Sequence, residues 1–390
     1  MVLARTAGGA MALMLILAAC WGGGAETPTE SRDRSTGDAR SDPVQRPEEM
    51  YPDVVRRVRF SDADLLELPR LSSSLPGQVQ YPPTGEVTSL IEDPPGRAVM
   101  SIVNAGGRSA VSDLGSYTWY LYGVDGRWRV FDLGELGLPD SEWADWNVAG
   151  DLSQDGRYAA LRIDSALLIF DMASGDVRRV EPKRGLTFGG GGKWTPDGLV
   201  AMGYSGKDAP AGVFIDPATG RQRPWRGPSL YRTGGMSYDW DGTPVLEWWA
   251  KGRVLGVKGY RFFDRRGRVV RRLALPWELS GRSSAALGEH GIAFYREAAH
   301  SKRLRQPGAF IVTDRRARPE QIVLTGNDEG FAPWIGGWLD EETVLAETSR
   351  VLVAWRPDEE KFYRLTRLVQ EPEMFYYSIA TDLVQPKPSD

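Results

Sequence analysis

Apolar and polar residues alternate in short runs across the segment from Leu152 to Arg179, LSQDGRYAALRIDSALLIFDMASGDVRR. Such alternation is typical of half-buried β-strands. Two turn signals divide the runs, Asp155-Gly156 and the stretch from Asp171 to Gly175, because glycine tolerates positive φ and aspartate can bond its own backbone. The segment therefore predicts three strands of a small antiparallel sheet. Because such a sheet leaves apolar surface uncovered, it needs neighbouring sheets.

The same corner recurs along the chain at a near-constant interval. A large apolar residue stands three positions before each turn residue, with successive spacings of 42, 44, 49 and 51, at Leu152, Trp194, Tyr238, Leu287 and Trp338. An apolar run follows each corner, and Pro95–Ile102 with Tyr120–Phe131 resembles an earlier copy with a longer middle loop. Four short strands at a period of about forty to fifty residues predict propeller blades, because radial packing buries both faces of each sheet.

Two of the copies carry more specific motifs. The stretches Ser153-Gln154-Asp155-Gly156-Arg157 through Asp171–Gly175, and Thr195-Pro196-Asp197-Gly198 through Asp216–Gly220, resemble the SPDG…D-x-x-T/S-G repeats of TolB-type and WD40-like β-propellers. With the weaker copies, the resemblance extends from Glu86 to Pro372, and it implies an all-β fold. The Gly-His and Trp-Asp dipeptides of eukaryotic WD40 repeats are absent at the usual ends, so the TolB-like variety is favoured.

The two ends of the folded part also have strand composition. Six copies fit between Glu86 and Pro372, and the terminal segments Val54–Phe60 and Met374–Val384 remain. We expect these segments to pair in a shared blade, because an open ring would leave two bare sheet edges. Residues 51–390 are therefore predicted to form a single β-propeller of seven four-stranded blades, with six blades as the alternative.

The N-terminal residues resemble a lipoprotein leader. Arg5 precedes a short apolar run, Ala10–Leu17, and the sequence Leu17-Ala18-Ala19-Cys20 resembles the lipobox of bacterial lipoproteins. The resemblance implies that residues 1–19 are a signal peptide and that Cys20 becomes a lipidated N-terminus on the extracytoplasmic face of the cell membrane. The alternative is an ordinary cleaved signal peptide with an incidental cysteine. Because only eight residues are lysine, arginine dominates the basic side chains, which together with the lipobox fits a lipoprotein of actinobacterial type.

A flexible tether is predicted for residues 20–50. This stretch has almost no large apolar side chains and is rich in Gly, Ser, Thr, Pro and mixed charge, so it cannot bury enough surface to fold. The remaining composition agrees with a β-rich domain, with 14 tryptophans and 45 glycines. Cys20 is the only cysteine, so an intramolecular disulfide is impossible.

Charge does not favour a nucleic-acid partner. The 48 basic and 52 acidic residues give a formal net charge of −4, which indicates no general affinity for polyanions. The segment Lys251–Arg272 is locally basic and contains Tyr260, Phe262 and Phe263, which on its own could suggest nucleic acid or anionic lipid. We interpret it as a solvated blade edge whose aromatic residues occupy core positions of a strand.

No catalytic, cofactor-binding or metal-binding residue is predicted. The only histidines are His290 and His300, and His290 stands where other copies have the turn aspartate, so we interpret it as structural. The sequence contains neither a Gly-x-Ser-x-Gly elbow nor the Cys and His spacing of a metal site. Trp248 and Trp249 are adjacent, so at most one can face a given core, and the outward one is the candidate for a binding surface.

Two functions follow from these observations. The first is a non-catalytic lipoprotein that uses its propeller as a scaffold for a protein, a peptide or an envelope polymer, since fold alone does not imply catalysis. The alternative is a propeller hydrolase or lyase acting on a glycan or a lactone, with carboxylates of the central channel as acid and base.

Replacement of the lipobox cysteine tests the predicted anchor. In a Cys20→Ala variant, we expect the protein to be released to the medium or to remain unprocessed, because the thiol that would carry the lipid is gone. Fractionation of cells and intact-mass measurement of the protein separate these outcomes. A variant that stays in the membrane fraction with a mature N-terminus would contradict the lipid anchor.

Overall fold

Six sheets of four or five strands make up the folded part of the chain. The structure is a computed structural model, and its described residues belong to one unit, Gln45–Asp390. They are residues 47–58, 62–104, 118–132, 151–163, 166–183, 187–195, 197–204, 212–225, 236–238, 243–249, 257–264, 268–276, 285–296, 299–301, 304–306, 308–325, 333–348, 350–369 and 375–386. The predicted lipid-attachment residue, Cys20, lies outside these residues.

The N-terminal segment, residues 47–89, contributes two short helices and three short strands that are far apart in the sequence from the sheets' other strands or precede them. In chain order they are α1 (Pro47–Met50), β1 (Val55–Arg57), α2 (Asp62–Leu66), β2 (Gln78–Gln80) and β3 (Val87–Ser89). Helix α1 lies where the sequence predicts the end of the flexible tether.

The first three sheets follow along the chain, and their strands are antiparallel neighbours. Sheet 1 contains β4 (Ala98–Asn104), β5 (Thr118–Gly123) and β6 (Trp128–Asp132). Sheet 2 contains β7 (Asp151–Leu152), β8 (Tyr158–Ile163), β9 (Ala166–Asp171) and β10 (Val177–Val180). Sheet 3 contains β11 (Thr187–Thr195), β12 (Gly198–Tyr204), β13 (Val213–Ile215) and β14 (Gln222–Pro224).

The remaining sheets repeat this meander. Sheet 4 contains β15 (Met236–Tyr238), β16 (Pro244–Trp249), β17 (Val257–Phe263) and β18 (Val269–Ala274). Sheet 5 contains β19 (Ala285–Leu287), β20 (Gly291–Arg296), β23 (Ala309–Asp314) and β24 (Pro319–Leu324), and a separate ribbon of β21 (Ala299–Ser301) and β22 (Leu304–Gln306) lies between β20 and β23. Sheet 6 contains β25 (Trp334–Trp338), β26 (Val344–Glu347), β27 (Val351–Arg356) and β28 (Lys361–Val369), and the last strand of the chain is β29 (Phe375–Ile379).

Consecutive sheets pack against each other in a closed ring. Buried apolar clusters join sheets 1 and 2, sheets 2 and 3, sheets 4 and 5, sheets 5 and 6, and sheets 6 and 1. Sheets 3 and 4 meet through β11 and β15. Each sheet thereby covers the apolar faces of its neighbours, which is the arrangement of a β-propeller. The all-β propeller prediction is confirmed at this level.

The ring is closed by the C-terminal strand, but not with the predicted partner. Strand β29 pairs antiparallel with β4, with Tyr377 opposite Ile102, and supplies the first strand that sheet 1 otherwise lacks. Strand β1 instead adds in parallel to β24, at the outer edge of sheet 5. The predicted pairing of Val54–Phe60 with Met374–Val384 is therefore wrong. The residues of β1 are partly or fully exposed, which suits an outer edge and not the centre of a ring.

The predicted count of seven four-stranded blades is also wrong. Among the residues that the structure describes, there are six sheets of four or five strands, because β29 completes the first copy and does not begin another. The alternative of six four-stranded blades differs from the structure in strand number, since sheets 1, 5 and 6 each have five strands. The fifth strands of sheets 5, 6 and 1 are β1, β2 and β3, which are parallel to their neighbours.

A buried arginine attaches the N-terminal segment to sheet 1. The side chain of Arg129 is 1% exposed and forms ion pairs with Asp93 at 3.0 Å and with Asp125 at 2.6 Å. Its Nε also donates to the Asp93 carbonyl at 3.0 Å. The hydrogen bond from Arg129 holds the pKa of the Asp125 carboxyl well below its usual range. The turn after β3 is thus fixed to the β5–β6 hairpin.

Deletion of the closing strand tests how the ring is held. Removing residues 375–390 should lower Tm by more than about 5 °C and promote aggregation, because the deletion exposes the edge of β4 and removes the fully buried Ala380 and Val384. Thermal unfolding and size-exclusion chromatography measure both effects. Deletion of residues 387–390 alone is the control and should leave Tm unchanged. An equal Tm for the two truncations would contradict closure by this strand.

Candidate functional site

A cavity lies where the first strands of several sheets end at one face of the ring. Its volume is about 380 Å³, and it is lined by Gln154, Ala285–His290, Gly336–Glu341, Thr381 and Asp382. These residues belong to the corner of sheet 2, the first strands and corners of sheets 5 and 6, and the turn after β29. The cavity therefore lies where the corners of sheets 2, 5 and 6 meet the turn after β29.

Close packing between sheets 5 and 6 fixes one wall of the cavity. The indole Nε1–H of Trp338 donates to the carbonyl oxygen of Ala286 at 3.2 Å. The same indole lies over Gly288, where an added Cβ would approach Nε1 to 2.8 Å. A side chain at position 288 would therefore push the two corners apart. Glycine there lets the corner residues of both sheets meet at the cavity.

Three side chains with metal-ligating atoms meet on this rim. The ligand atoms of Glu289, His290 and Glu341 all lie within 4.8 Å of one another, and Nε2 of His290 is 3.5 Å from Oε2 of Glu341. All three residues are exposed. Two carboxylates and one imidazole at this spacing can bind a cationic group or a divalent metal ion.

The turn after β29 supplies a further carboxyl to the cavity. The backbone N–H of Asp382 donates to the carbonyl of Gln154 at 3.1 Å, which joins the C-terminal turn to the corner of sheet 2. Loss of hydration and, second, the charge of Asp155 raise the pKa of the Asp382 carboxyl. This carboxyl therefore accepts a proton more readily than an aspartate in open solvent.

The binding-surface candidates Trp248 and Trp249 are on a different sheet from the described lining of this cavity. They lie at the end of β16 in sheet 4, opposite Gly259 and Val257, with a register shift between them. The described cavity lining comes from sheets 2, 5 and 6 and from the C-terminal turn. The side chains of both tryptophans lie outside what the structure describes.

His290 occupies the predicted corner, but its surroundings differ from those of the turn aspartates. In sheet 2, Asp155 Oδ1 accepts the Ser153 hydroxyl at 2.7 Å and the Arg157 N–H at 3.1 Å. His290 instead faces Glu341 of the next sheet. His300 lies apart from it on β21, in the ribbon that extends from sheet 5.

Sequence analysis did not identify Glu289, Glu341 or Asp382 as site residues. The sequence signal that could have identified this part of the site is a departure from the repeated Asp-Gly corner. The corners of sheets 2, 3 and 4 read Asp-Gly, whereas those of sheets 5 and 6 read His290-Gly291 and Glu341-Glu342. The two irregular corners are adjacent in the ring, which brings their side chains together.

The described parts of the basic segment Lys251–Arg272, which are residues 257–264 and 268–272, belong to β17 and β18 of sheet 4 and to the adjoining turn residues. Tyr260, Phe262 and Phe263 are buried core residues. Arg268 pairs with Asp264 at 2.7 Å. The aromatic residues therefore serve the core, as the sequence analysis predicted.

The chain has distant likenesses among solved structures. No protein-family model and no curated protein matches it. Uncharacterized protein lmo1340 from Listeria monocytogenes EGD-e is 14% identical with a TM-score of 0.44, and the match covers 77% of this chain and 93% of that one. TolB from Acinetobacter baumannii is 15% identical with a TM-score of 0.44, covering 74% of this chain and 67% of that one. A chain from the crystal structure of the mitotic checkpoint complex is 13% identical with a TM-score of 0.34. The match covers 56% of this chain and 65% of that one.

Within the described ranges, no helix is both long and apolar enough to cross a bilayer.

The raised pKa of Asp382 gives a pH-dependent prediction. The folded protein disfavours the charged form of the Asp382 carboxyl, so ionisation of this group lowers the stability of the fold. The effect begins above about pH 3.9, which is the pKa of an aspartate in the unfolded chain. Asp382→Asn should therefore raise Tm by about 1 °C at pH 7, and the gain should vanish near pH 3. Thermal unfolding from pH 3 to pH 8 measures the difference. Glu342→Gln, in the exposed corner of sheet 6, is the control, and a lower Tm for Asp382→Asn at pH 7 would contradict the assignment.

Proposed function

We propose that this chain is an extracytoplasmic lipoprotein whose β-propeller is a non-catalytic scaffold for a protein, a peptide or an envelope polymer. The observation that supports it most is the cavity of about 380 Å³ at the end of the first strands, where the corners of three sheets meet the turn after β29. Ligand sites are typically concave and formed where several elements converge. The lipobox-like residues ending at Cys20 and the tether of residues 20–50 would place the ring outside the cell membrane.

The charge of the cavity rim indicates which partner groups would fit. Four carboxylates line it, from Glu289, Asp340, Glu341 and Asp382. Complementary charge favours encounter with the correct partner and disfavours others. A segment bearing lysine or arginine side chains is therefore the partner that suits this rim best, and its binding should weaken as salt increases.

A second candidate function has one specific observation in its favour. Acid-base catalysis on a glycan or lactone needs carboxyl groups that converge, with one of them kept protonated by its surroundings. Glu289 and Glu341 converge at this cavity, and the pKa of Asp382 is raised. In such an enzyme, Asp382 would act as the acid. The scaffold is preferred because Glu289 and Glu341 are exposed, which leaves their charges hydrated.

Site-specific photocrosslinking on intact cells tests the scaffold. A photoreactive amino acid at Asp340, on the exposed cavity rim, should give a discrete crosslinked species, whereas the same group at Val270 should not. Val270 is 60% exposed on the last strand of sheet 4, away from the cavity. The captured partner should then bind the purified protein, and Glu289→Lys should weaken that binding more than about tenfold because the complementary charge is reversed.

Two results would overturn the scaffold. Equal crosslinking at positions 340 and 270 would remove the cavity as the binding site. Turnover of an envelope glycan or lactone by the purified protein, abolished by Asp382→Asn but not by Glu342→Gln, would establish the enzyme in its place.

A further inference from the structure

The rim of the cavity joins one histidine to two glutamates from adjacent sheets. Glu289 and His290 form the corner between β19 and β20, and Glu341 is in the corner between β25 and β26. Their ligand atoms all lie within 4.8 Å. Among the described residues, this is the one group of three or more His, Cys, Asp or Glu side chains with such convergence.

The backbone turns do not need these three side chains. In sheet 5, the N–H of Gly288 donates to the carbonyl of Gly291 at 2.8 Å, so the glycines close the turn around Glu289 and His290. In sheet 6, the Asp340 carboxylate accepts the backbone N–H of Glu342 at 2.8 Å, which is the bond that a turn aspartate supplies. The side chains of Glu289, His290 and Glu341 are thereby left to interact with each other and with a ligand.

The spacing of His290 and Glu341 matches two ligands of one metal ion. A tetrahedral zinc ion with ligands at about 2.0 to 2.2 Å places neighbouring ligand atoms about 3.4 Å apart. Nε2 of His290 and Oε2 of Glu341 are 3.5 Å apart, before any adjustment of these exposed side chains. A carboxylate oxygen of Glu289 lies within 4.8 Å of both atoms, so rotation of this exposed side chain can supply a third ligand.

We propose that Glu289, His290 and Glu341 bind one divalent transition-metal ion of the zinc type, whose fourth coordination position faces the cavity. Imidazole nitrogen and carboxylate oxygen are both zinc ligands, and three protein ligands with one open position are typical of catalytic zinc sites, whereas calcium and magnesium favour oxygen ligands alone. A divalent cation also compensates the two carboxylate charges that the corners bring together. The fourth position is accessible to water or to a donor group on whatever enters the cavity.

Zinc titration of the full chain tests the site directly. Every sample carries Cys20→Ala and no histidine tag, so that neither a free thiol nor a tag contributes ligands. Zinc chloride is titrated in a calorimeter or against a chromophoric chelator, and cobalt(II) replaces zinc for absorption spectra. We expect one ion per chain, a cobalt spectrum of low coordination number and a rise in Tm with zinc, because binding to the folded state stabilises it.

Variants assign the ligands. His290→Ala and Glu341→Gln should each weaken zinc binding by more than about tenfold, since loss of a direct ligand costs at least as much as loss of its supporting partner. His300→Ala removes the other histidine and Glu342→Gln removes a neighbouring carboxylate, so both are matched controls that should bind as the parent does. The parent and both ligand variants should have the same Tm in the presence of a chelator.

Three results would overturn the proposal. They are no saturable zinc binding, binding that His290→Ala and Glu341→Gln leave unchanged, and equal loss of binding in the His300→Ala control. Because the titration needs no partner, its outcome is independent of whether the propeller is a scaffold or an enzyme.

Discussion

The pairing of β29 with β4 is the constraint on which the rest of the structure depends. Sheet 1 obtains four strands, β3 to β6, from one end of the folded chain and its first strand, β29, from the other. Without β29, the edge of β4 would have no hydrogen-bonded neighbour. Residues that follow β29, such as Val384, would no longer pack between sheets 6 and 1. The apolar cluster at this seam includes Val99, Ile102 and Val384, all fully buried. Closure is therefore both a hydrogen-bonding and a packing requirement.

The N-terminal segment reinforces the same seam from outside. Its strands add to the outer edges of sheets 5, 6 and 1 in turn, so it crosses the junction that β29 closes from within. Contacts between the two ends are direct, since the Ser74 hydroxyl donates to the carbonyl of Leu383 at 2.6 Å. At the end of the segment, Arg129 forms ion pairs in which its own side chain is buried. Arg56 and Glu360 also form an ion pair, but both side chains are exposed, so this pair contributes little to stability. The segment is held mainly by its strand pairing and by the buried arginine.

The local parts of this fold could be predicted from the sequence. The Asp155-Gly156 corner is a turn with Gly156 at φ +66°, and an added Cβ there would come within 2.2 Å of the Ala98 carbonyl oxygen. The apolar run Tyr158–Ile163 has the same bounds as β8. These features depend on residues close in sequence, where turn chemistry and alternation act directly.

Features that join distant residues were predicted poorly. The strand composition of Phe375–Ile379 was visible, but nothing local distinguishes an extra blade from the missing strand of the first copy. The same limit applies to the cavity, because Glu289 and Glu341 are about one repeat apart and meet only when sheets 5 and 6 pack. His290 was interpreted as a turn residue on the analogy of Asp155, and it does lie in the corner, where a hydrogen bond between Gly288 and Gly291 closes the turn and the imidazole faces Glu341.

The position of the cavity connects binding to closure of the ring. Its lining includes Thr381 and Asp382, which directly follow β29, together with Gln154 from sheet 2 and the corners of sheets 5 and 6. Thr381 also lies against Gly337, where an added Cβ would be 3.2 Å from the threonine methyl. A ligand that contacts these groups together can do so only when the C-terminal strand is in place. Since a ligand stabilises the state that it binds, occupation of this cavity favours the closed ring over any form in which β29 has left sheet 1.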